Sequence, residues 1–581
     1  MWRRCPAALD GKTIMNAVTT TFLLFTSLLL SSCAGRLYLP PMDEDALKAK
    51  RWQVSIPAHD GGRIAATVWQ PALAAGESAP LVLHTHGFGL QRMDGVIGLY
   101  ENLIPTGKIA KDLWKQGFWL LTWDQRGHGG SGGVINVMDP DKEVRDVSTL
   151  LDWAETNIRR LARDADGDIR VGMIGESYGG GVQLLASAHE PRIDAIVPIT
   201  TWHDLPESLA PSDVPKGGWV KVLYRMGDWV NFRKLHPYLR ANFKLARKGQ
   251  ISEELKARYA DHGLAYHCEQ GQYPQVDALL VQGFRDVLFN MQQALANRDC
   301  LAAGGGQVHL IAQSGGHLLP FKQRSPSTPI WYWDKHLACL EETANTRQLV
   351  GGWLAARLND QIGPALPPVC LSGGDWGVAL AHWPTRRETI ELPAVTLRGK
   401  RSGGWRWLTG SGDWLLGWRR EKGLSQRFAE PRDSGLRPAF IPLHTASTRE
   451  HRFGTAELLL KADQGPATPV LAALVVRRAG KARLKPVNDQ LVPVVIGKQR
   501  ALPPLSVELK KGDQLGLALF SRHPQFNTLP LDFAAGLQLS GTLLLPASLD
   551  SLIASDDSAL AIKPEVQAAV RLVPPPKGVV Q

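Results

Sequence analysis

Cysteine is scarce in this chain, and no apolar run reaches the length of a membrane-spanning helix. Only six of the 581 residues are cysteine, and no two of them form a C-x-x-C pair. The spacing that most often signals a metal site is therefore missing, and we predict no bound metal. The longest apolar stretch, residues 17–30, falls short of the roughly 20 residues that a membrane-spanning helix needs.

Clustered charge is also lacking. The formal net charge is +11, yet the basic residues are spread along the chain, with only short clusters at residues 398–401 and 477–483. Neither zinc-finger spacing nor a basic helix accompanies them, so we interpret the charge as a solvated surface and predict no nucleic-acid partner. Hydrophobic residues at 44% and charged residues at 21% are typical of a folded globular chain.

The N-terminus has the pattern of a secretory signal. Three basic residues precede the apolar stretch, and small residues follow it at 31–35. The segment from Leu30 to Cys33 resembles the bacterial lipobox, in which cleavage leaves the cysteine as a lipidated first residue. On that resemblance, residues 1–32 are a signal peptide, Cys33 carries a lipid anchor, and residues 33–50 form a tether. An aspartate at position 34 would signal retention, and this chain has Ala34 instead. We therefore predict that the protein is anchored at the periplasmic face of the outer membrane.

Two alternatives to this N-terminal interpretation stay open. The segment can be an uncleaved anchor or a plain signal peptide, and a translation start at Met15 would remove the basic residues. After cleavage at the lipobox, Cys268, Cys300, Cys339 and Cys370 remain. In an oxidising compartment four thiols allow two disulfides, and the sequence does not choose among the three pairings.

One stretch carries the strongest chemical signal. An apolar run over residues 169–174 ends in a G-x-S-x-G pattern at 175–179, and a helical pattern follows over 180–189. A serine held on such a sharp turn from strand to helix presents its hydroxyl at the sheet edge. We therefore predict that Ser177 is a catalytic nucleophile and that the backbone N–H of Tyr178 is an oxyanion donor. A chance match in a glycine-rich chain is the alternative.

The pattern of elements predicts an α/β fold followed by an all-β region. Strands alternate with helices over residues 51–200 and 276–360, including a closing helix over 329–359, which predicts a parallel sheet covered on both faces. Residues 201–275, aromatic and mostly helical in pattern, are predicted to form a cap. Short β-type runs predict a β-sandwich over residues 368–550, before an irregular tail at 551–581. The runs are residues 389–397, 457–461, 470–477, 491–496, 505–509, 515–520 and 536–545.

A serine hydroxyl reacts only when a base takes its proton and an acid orients that base. In this class of sheet the chain order is serine, acid, histidine. Asp286 and His317 each follow a predicted strand after Ser177, and the carboxyl ends of parallel strands meet at one edge. We predict that Asp286 orients His317, which accepts the Ser177 proton. A helix N-cap for Asp286 and a surface loop for His317 are the alternatives.

The loop after the third predicted strand offers a second oxyanion donor. Gly87 precedes Phe88 there, so we predict that Phe88 N–H joins Tyr178 N–H; a glycine-rich loop without a role is the alternative. Four aromatic residues are candidates for an acyl pocket, with core packing as the alternative for each: Trp202, Trp219, Trp229 and Phe284.

Other polar residues before the serine are interpreted as structural. His84 and His86 lie at a strand end, where packed histidines are common. Asp124 and His128 precede Ser177, against the expected order of a triad. The glycines around them open no phosphate-binding helix, so we predict no dinucleotide and no other cofactor.

Together these motifs resemble a known family. The elbow at 175–180, the D-Q-R-G-H-G-G-S loop at 124–131 and the G-F-R-D strand exit at 283–286 are similar to the Xaa-Pro dipeptidyl-peptidase and cocaine-esterase family. Residues 382–384 and 509–521 extend the resemblance. It implies an α/β-hydrolase with a helical cap and a C-terminal jelly-roll-like sandwich, which cleaves esters or amides through an acyl-enzyme. On this resemblance Ser177, Asp286 and His317 form the triad.

One departure from the family shapes the predicted function. Family members often supply a tyrosine hydroxyl from the loop after the third strand, where this chain has Phe88, and no carboxylate pair for a substrate's free amine is evident. We therefore predict a serine hydrolase acting on small-molecule esters or amides or on short peptides. The alternatives are an Xaa-Pro dipeptidyl-peptidase and a non-catalytic envelope lipoprotein with a binding sandwich.

Overall fold

The computed structural model describes most of the chain beyond residue 45. The described residues are 46–95, 102, 104–231, 234–246, 248–317, 336–340, 344–373, 376–397, 438–463, 469–521, 523, 525–526, 536–555 and 571–572. The predicted signal peptide, Cys33 and most of the predicted tether and tail lie outside them. No helix in this described part is long and apolar enough to cross a bilayer.

A large mixed sheet dominates the first two thirds of the chain. Its strands, with the short hairpin β9–β10 beside them, are β1 (Lys50–Pro57), β2 (Arg63–Gln70), β3 (Leu81–Thr85), β4 (Trp119–Trp123), β5 (Val171–Glu176), β6 (Ile193–Ile199), β7 (Asp277–Arg285), β8 (Val308–Gly316), β9 (His336–Leu337), β10 (Ala344–Asn345), β11 (Val369–Ser372) and β12 (Trp376–Leu380). The order is β1-β2-β4-β3-β5-β6-β7-β8-β11-β12, closed by Arg571–Leu572. Strands β3 to β8 and β11 run parallel, which confirms the predicted parallel sheet.

Helices cover both faces of this sheet. The helices are α1 (Pro105–Lys115), α2 (Arg145–Asn157), α3 (Tyr178–His189), α4 (Leu205–Leu209), α5 (Gly217–Arg225), α6 (Pro237–Ala246), α7 (Glu253–Arg258), α8 (Leu264–Glu269), α9 (Met291–Ala303), α10 (Thr346–Leu358) and α11 (Leu549–Ala554). Alternate side chains of each buried strand enter opposite cores. Val82 packs with α1 and α10, whereas its neighbours Leu81 and Leu83 pack with α2, α3 and α9. This is the α/β-hydrolase arrangement.

The segment between β6 and β7 leaves the sheet and is helical. We call residues 201–275 the cap segment; it holds α4 to α8, with a π-helical turn at Met226–Val230. A disulfide between Cys268 and Cys300 joins α8 to α9, and a second between Cys339 and Cys370 joins β11 to the chain after β9. The structure thus selects one of the three pairings that the sequence left open.

An all-β region of antiparallel sheets follows the large sheet. Its strands are β13 (Arg387–Thr396), β14 (Ala439–Thr445), β15 (Glu450–Gly454), β16 (Glu457–Ala462), β17 (Pro469–Arg477), β18 (Leu484–Pro486), β19 (Val492–Val495), β20 (Gln499–Ala501), β21 (Leu505–Leu509), β22 (Gln514–Phe520) and β23 (Gln538–Pro546). They form sheets β13-β23-β16-β20, β14-β22-β17-β18 with β19 beside β17, and β15-β21, around a shared apolar core. The jelly-roll connectivity stays a prediction.

Two expectations differ from the structure. The predicted closing helix over residues 329–359 is wrong at its start, since α10 begins at Thr346, where the Asn345 side chain accepts the N–H groups of Arg347 and Gln348. Residues 318–335 lie outside the described part. The sandwich boundary predicted at residue 368 falls before β11 and β12, because β11 pairs in parallel with β8 and extends the large sheet.

Candidate active site

Ser177 occupies the turn between β5 and α3. Its backbone is at φ 54° and ψ −111°, a left-handed conformation that a serine adopts only when its surroundings enforce it. A Cβ added at Gly179 would lie 2.7 Å from the Thr85 carbonyl oxygen, and one at Gly175 would lie 2.8 Å from the Gly179 carbonyl oxygen. The turn can therefore close only with glycine at both positions, which explains the G-x-S-x-G pattern.

Three side chains meet at the carboxyl edge of the large sheet. Ser177 Oγ lies 3.0 Å from His317 Nε2, and His317 Nδ1 lies 2.8 Å from Asp286 Oδ2. Strand β7 ends just before Asp286 and β8 ends just before His317, so parallel neighbours bring residues that are distant in sequence together. All three residues are at least nine-tenths buried. The spacing has the geometry of a nucleophile, a base and an acid that orients the base.

The carboxylate of Asp286 is buried among hydrogen-bond donors. Its Oδ1 accepts the backbone N–H groups of Leu288 and Phe289 at 2.9 and 2.8 Å, and Gln282 Nε2 donates to Oδ2 at 3.1 Å. These donors compensate the burial and fix the side chain with Oδ2 towards His317. The N-cap alternative does not hold, because α9 begins at Met291 and Asn290 caps it.

The all-β region also contacts the segment around Asp286, residues 284–290, which we call the acid loop. Gln490 Nε2, from the loop before β19, donates to the Phe284 carbonyl at 2.7 Å and to the Asp286 carbonyl at 2.9 Å. Gln525 Nε2 donates to the Val287 carbonyl at 3.4 Å. Both glutamines are buried. Sequence reasoning missed both glutamines, because nothing in the pattern around a lone glutamine reveals a partner some 200 residues away.

Buried acceptors hold the loop after β3 on both sides of Phe88. Glu176 Oε1 accepts the Gly87 N–H at 3.2 Å, and His128 Nε2 accepts the Gly89 N–H at 3.2 Å. The Phe88 ring packs edge-on against Tyr178, with centroids 5.3 Å apart. The backbone of Phe88 is therefore fixed beside the start of α3, near Ser177. Sequence analysis missed Glu176; its place inside the elbow motif, before the serine, was the available signal.

The other histidines near the sheet edge act as neutral packing groups. His84 Nε2 lies 3.2 Å from Thr106 Oγ1, and burial lowers the pKa of His84 to about 3. His86 Nε2 accepts the Gln125 N–H, and burial lowers the pKa of His86 as well. Burial holds the pKa of His128 well below its usual range, which suits its role as an acceptor. Asp124 pairs with Arg92 and accepts the Gly130 N–H, as expected of a loop residue.

A cavity opens beside Ser177, between the sheet edge and the cap segment. Among the three predicted acyl-pocket residues whose side chains the structure describes, Trp202 lines the cavity, and Trp219 and Phe284 do not. Trp219 is fully buried and packs edge-on against the His317 ring, and Phe284 packs against Trp383. Trp229 lies in the π-helical turn, and its side chain falls outside the described residues. The prediction is wrong for Trp219 and Phe284, because aromatic rings near a site also serve as its supporting core.

No group of three or more His, Cys, Asp or Glu side chains among the described residues could hold a metal ion.

Part of the chain is similar to a known protein family. Residues 60–319 match the family model described as X-Pro dipeptidyl-peptidase (S15 family). Among curated proteins, an uncharacterised 31.7 kDa protein from the traX-finO intergenic region of Escherichia coli is 30% identical over 118 residues, which are 20% of this chain and 36% of that one. Cutinase 2 of Thermobifida cellulosilytica is 26% identical over 104 residues, 17% of this chain and 37% of that one. The chain spans about a third of these relatives' length.

Solved structures of similar fold cover much more of the chain. An aminopeptidase from a marine sediment Thaumarchaeota archaeon aligns with TM-score 0.60 and 15% identity over 89% of this chain and 98% of that one. A CocE/NonD family hydrolase from Staphylococcus aureus gives 0.54 and 10% over 89% and 99%. An α-amino acid ester hydrolase gives 0.52 and 15% over 88% and 97%. These likenesses concern the fold, and the match to the X-Pro dipeptidyl-peptidase (S15 family) model concerns residues 60–319 of this chain.

Proposed function

We propose that this protein is a serine hydrolase that cleaves carboxylic ester or amide bonds through an acyl-enzyme on Ser177. The observation that carries the proposal is the continuous contact from Ser177 Oγ through His317 to Asp286, at 3.0 and 2.8 Å. Ser177 also lies on a strained turn at the carboxyl edge of the sheet, beside a cavity, and this position supports the same conclusion. The similarity to the X-Pro dipeptidyl-peptidase family model and to a cutinase agrees with it.

In this proposal each residue has a defined role. His317 Nε2 accepts the Ser177 proton as Oγ attacks the substrate carbonyl carbon, and Asp286 stabilises the resulting imidazolium. The N–H groups of Tyr178 and Phe88 stabilise the oxyanion. His317 then donates the proton to the leaving alcohol or amine. Water, activated by His317, releases the acid and restores Ser177.

A fluorophosphonate probe tests the proposal, because it reacts with an activated serine whatever the natural substrate is. We expect the full-length protein to be labelled at Ser177, and labelling to be lost in Ser177→Ala and in His317→Ala. A folded protein that takes up no label would instead favour a non-catalytic envelope protein whose β-sandwich binds a partner.

An Xaa-Pro dipeptidyl-peptidase is the second candidate activity, favoured by the description of the matching family model. Such an enzyme must bind the free α-amine of its substrate. Comparing kcat/KM for acyl esters with that for Ala-Pro and Gly-Pro amides separates the two. Faster turnover of the dipeptide amides would favour the peptidase.

Export and lipidation at Cys33 belong to the same proposal, with the mature protein on the periplasmic face of the outer membrane. The lipobox resemblance supports it, and so do two disulfides, which form and persist in oxidising compartments. In Cys33→Ala we expect incorporation of radiolabelled palmitate to be lost and the protein to move from the detergent phase to the aqueous phase. Labelling that persists in this variant would rule out Cys33 as the anchor.

A further inference from the structure

The cavity beside Ser177 is lined almost entirely by apolar side chains. Within the described part of the chain, none of its lining residues is charged. The cap segment supplies leucine, valine, isoleucine and aromatic groups, among them Leu209, Leu223, Leu239, Phe243 and Ile251. An apolar wall of this extent favours an apolar substrate group, because the transfer of such a group from water to the cavity lowers the free energy.

Several polar atoms along the lining are occupied by the protein itself. Trp202 Nε1 donates to the His262 carbonyl at 2.7 Å, and the Tyr178 hydroxyl accepts the Met138 N–H at 3.2 Å. Asn242 Nδ2 donates to the Tyr238 carbonyl at 3.0 Å, and its Oδ1 accepts the Ser252 hydroxyl at 2.7 Å. These residues therefore present their carbon surfaces to the cavity.

A substrate with a charged end fits this cavity poorly. A dipeptide amine or an amino-acyl ester would bring an ammonium group next to a wall without a described carboxylate, and an unpaired cation in such surroundings is costly. An acetyl group would leave most of the apolar wall without contact. A flexible hydrocarbon chain meets both conditions, since it carries no charge and its contact grows with each methylene.

We propose that the cavity is an acyl-chain pocket and that the substrates are esters of medium- to long-chain fatty acids; this rests on Ser177 being the nucleophile. Ser177 Oγ bonds to the acyl carbon, the bond from that carbon to the alcohol oxygen breaks, and the Ser177 proton leaves with the alcohol through His317. Water then supplies its hydroxyl to the acyl carbon and its proton to Ser177, which releases the fatty acid.

A chain-length series of p-nitrophenyl esters below their micelle concentrations tests this substrate class. We expect kcat/KM to rise by up to about fourfold per methylene from acetate through butyrate and octanoate to decanoate. The value of kcat/KM for the decanoate ester should also exceed the values for alanyl esters and for Ala-Pro p-nitroanilide at least a hundredfold. A profile that peaks at acetate, or faster turnover of the amino-acyl substrates, would overturn the acyl-chain pocket.

The fluorophosphonate label separates this proposal from the one on which it rests. Labelling of Ser177 together with an acetate-preferring profile leaves the serine hydrolase intact and rejects the fatty-acyl substrate. Absence of labelling in folded protein rejects both.

Two substitutions on α6 test whether the acyl chain lies in this cavity. Leu239 lines the cavity, whereas Leu245, also half-buried on α6, does not. We expect Leu239→Trp to lower the decanoate-to-acetate ratio of kcat/KM at least tenfold, and Leu245→Trp to leave that ratio unchanged. Retained fluorophosphonate labelling shows that each variant is folded. An unchanged ratio in labelled Leu239→Trp would contradict the placement of the acyl chain.

Discussion

The large sheet with its helices and the all-β region contribute to the candidate site in different ways. In the first, each candidate reacting side chain stands where a parallel strand ends, at an edge shared by β5, β7 and β8. The second has its own apolar core, and among the described residues it adds side-chain amides, Gln490 and Gln525, which bind the backbone of the acid loop from outside. One region thus supplies the chemistry, and the other restrains the loop that carries part of it.

The two regions also differ in covalent constraint. Both disulfides lie in the region of the large sheet and its cap segment. None of the six cysteines of the sequence lies within residues 371–581. The antiparallel sheets therefore depend on apolar packing and backbone pairing. Changes to acid orientation, disulfides and buried charge should therefore affect the first region, and contacts with the segment around Asp286, among them those of the two glutamines, should link the second region to catalysis.

The largest expected effect comes from Asp286→Asn. An amide in place of the carboxylate favours the wrong tautomer of His317, so we expect kcat on a p-nitrophenyl ester to fall by about 10⁴-fold with the fold retained. Asp299→Asn, a change at an exposed aspartate on α9, is the matched control and should leave kcat within a factor of two. A loss below tenfold in Asp286→Asn would mean that another group orients the histidine.

Removal of the Cys268–Cys300 disulfide should destabilise the region of the large sheet more than the all-β region. The bridge closes a loop with a sequence separation of 32 residues, so the paired Cys268→Ala and Cys300→Ala change should cost about 3–4 kcal/mol of unfolding free energy. Amide hydrogen exchange, read by peptide, should speed up in β7 and α9 and not in β17 and β22. Equal acceleration in all four elements would show that the two regions unfold as one unit.

Burial of Glu143 should make stability depend on pH. Glu143 accepts the N–H groups of Asn136 and Asp139, and burial raises the pKa of its carboxyl to about 7 from its ordinary value of 4.5. Between these values the folded state holds the proton more tightly than the unfolded state, so stability falls as pH rises. We expect a loss of about 2 kcal/mol from pH 5 to pH 8 by urea unfolding.

Two variants check that this loss belongs to Glu143. Glu143→Gln cannot ionise and should flatten the dependence on pH, whereas Glu254→Gln, at an exposed position, should leave the wild-type slope. The same slope in wild type and Glu143→Gln would assign it to other groups.

The smallest effect tests the link between the regions. Gln490→Ala removes two donors to the acid loop, so we expect kcat to fall about tenfold, equivalent to about 1.4 kcal/mol in the activation barrier, with KM little changed. The rate of fluorophosphonate labelling should fall in parallel. Gln514→Ala, whose side chain bonds to Arg477 inside the all-β region, should change neither. Equal effects of the two substitutions would remove the basis for a positioning role.

Much of the architecture follows from local sequence patterns. Alternating strands and helices predict the parallel sheet, and each β-type run predicted beyond residue 385 overlaps an observed strand. The predicted closing helix starts too early, because the sequence pattern does not separate α10 from the chain before it, although Asn345 is a favourable N-cap residue. The attachment of β11 and β12 to the large sheet could not be read locally, because a strand's partner is chosen by packing.

The sequence by itself determined the elbow and the order of serine, acid and histidine. A turn that admits only glycine two residues before and two residues after its serine is a local requirement that leaves a local pattern, and so are strands that end in polar residues. Only the tertiary structure decided which aromatic rings face the cavity, which cysteines pair, and that glutamines of the all-β region hold the loop of Asp286. The physical reason is that these contacts join segments far apart in the chain, and their direction is fixed by packing, which no short pattern of residue types records.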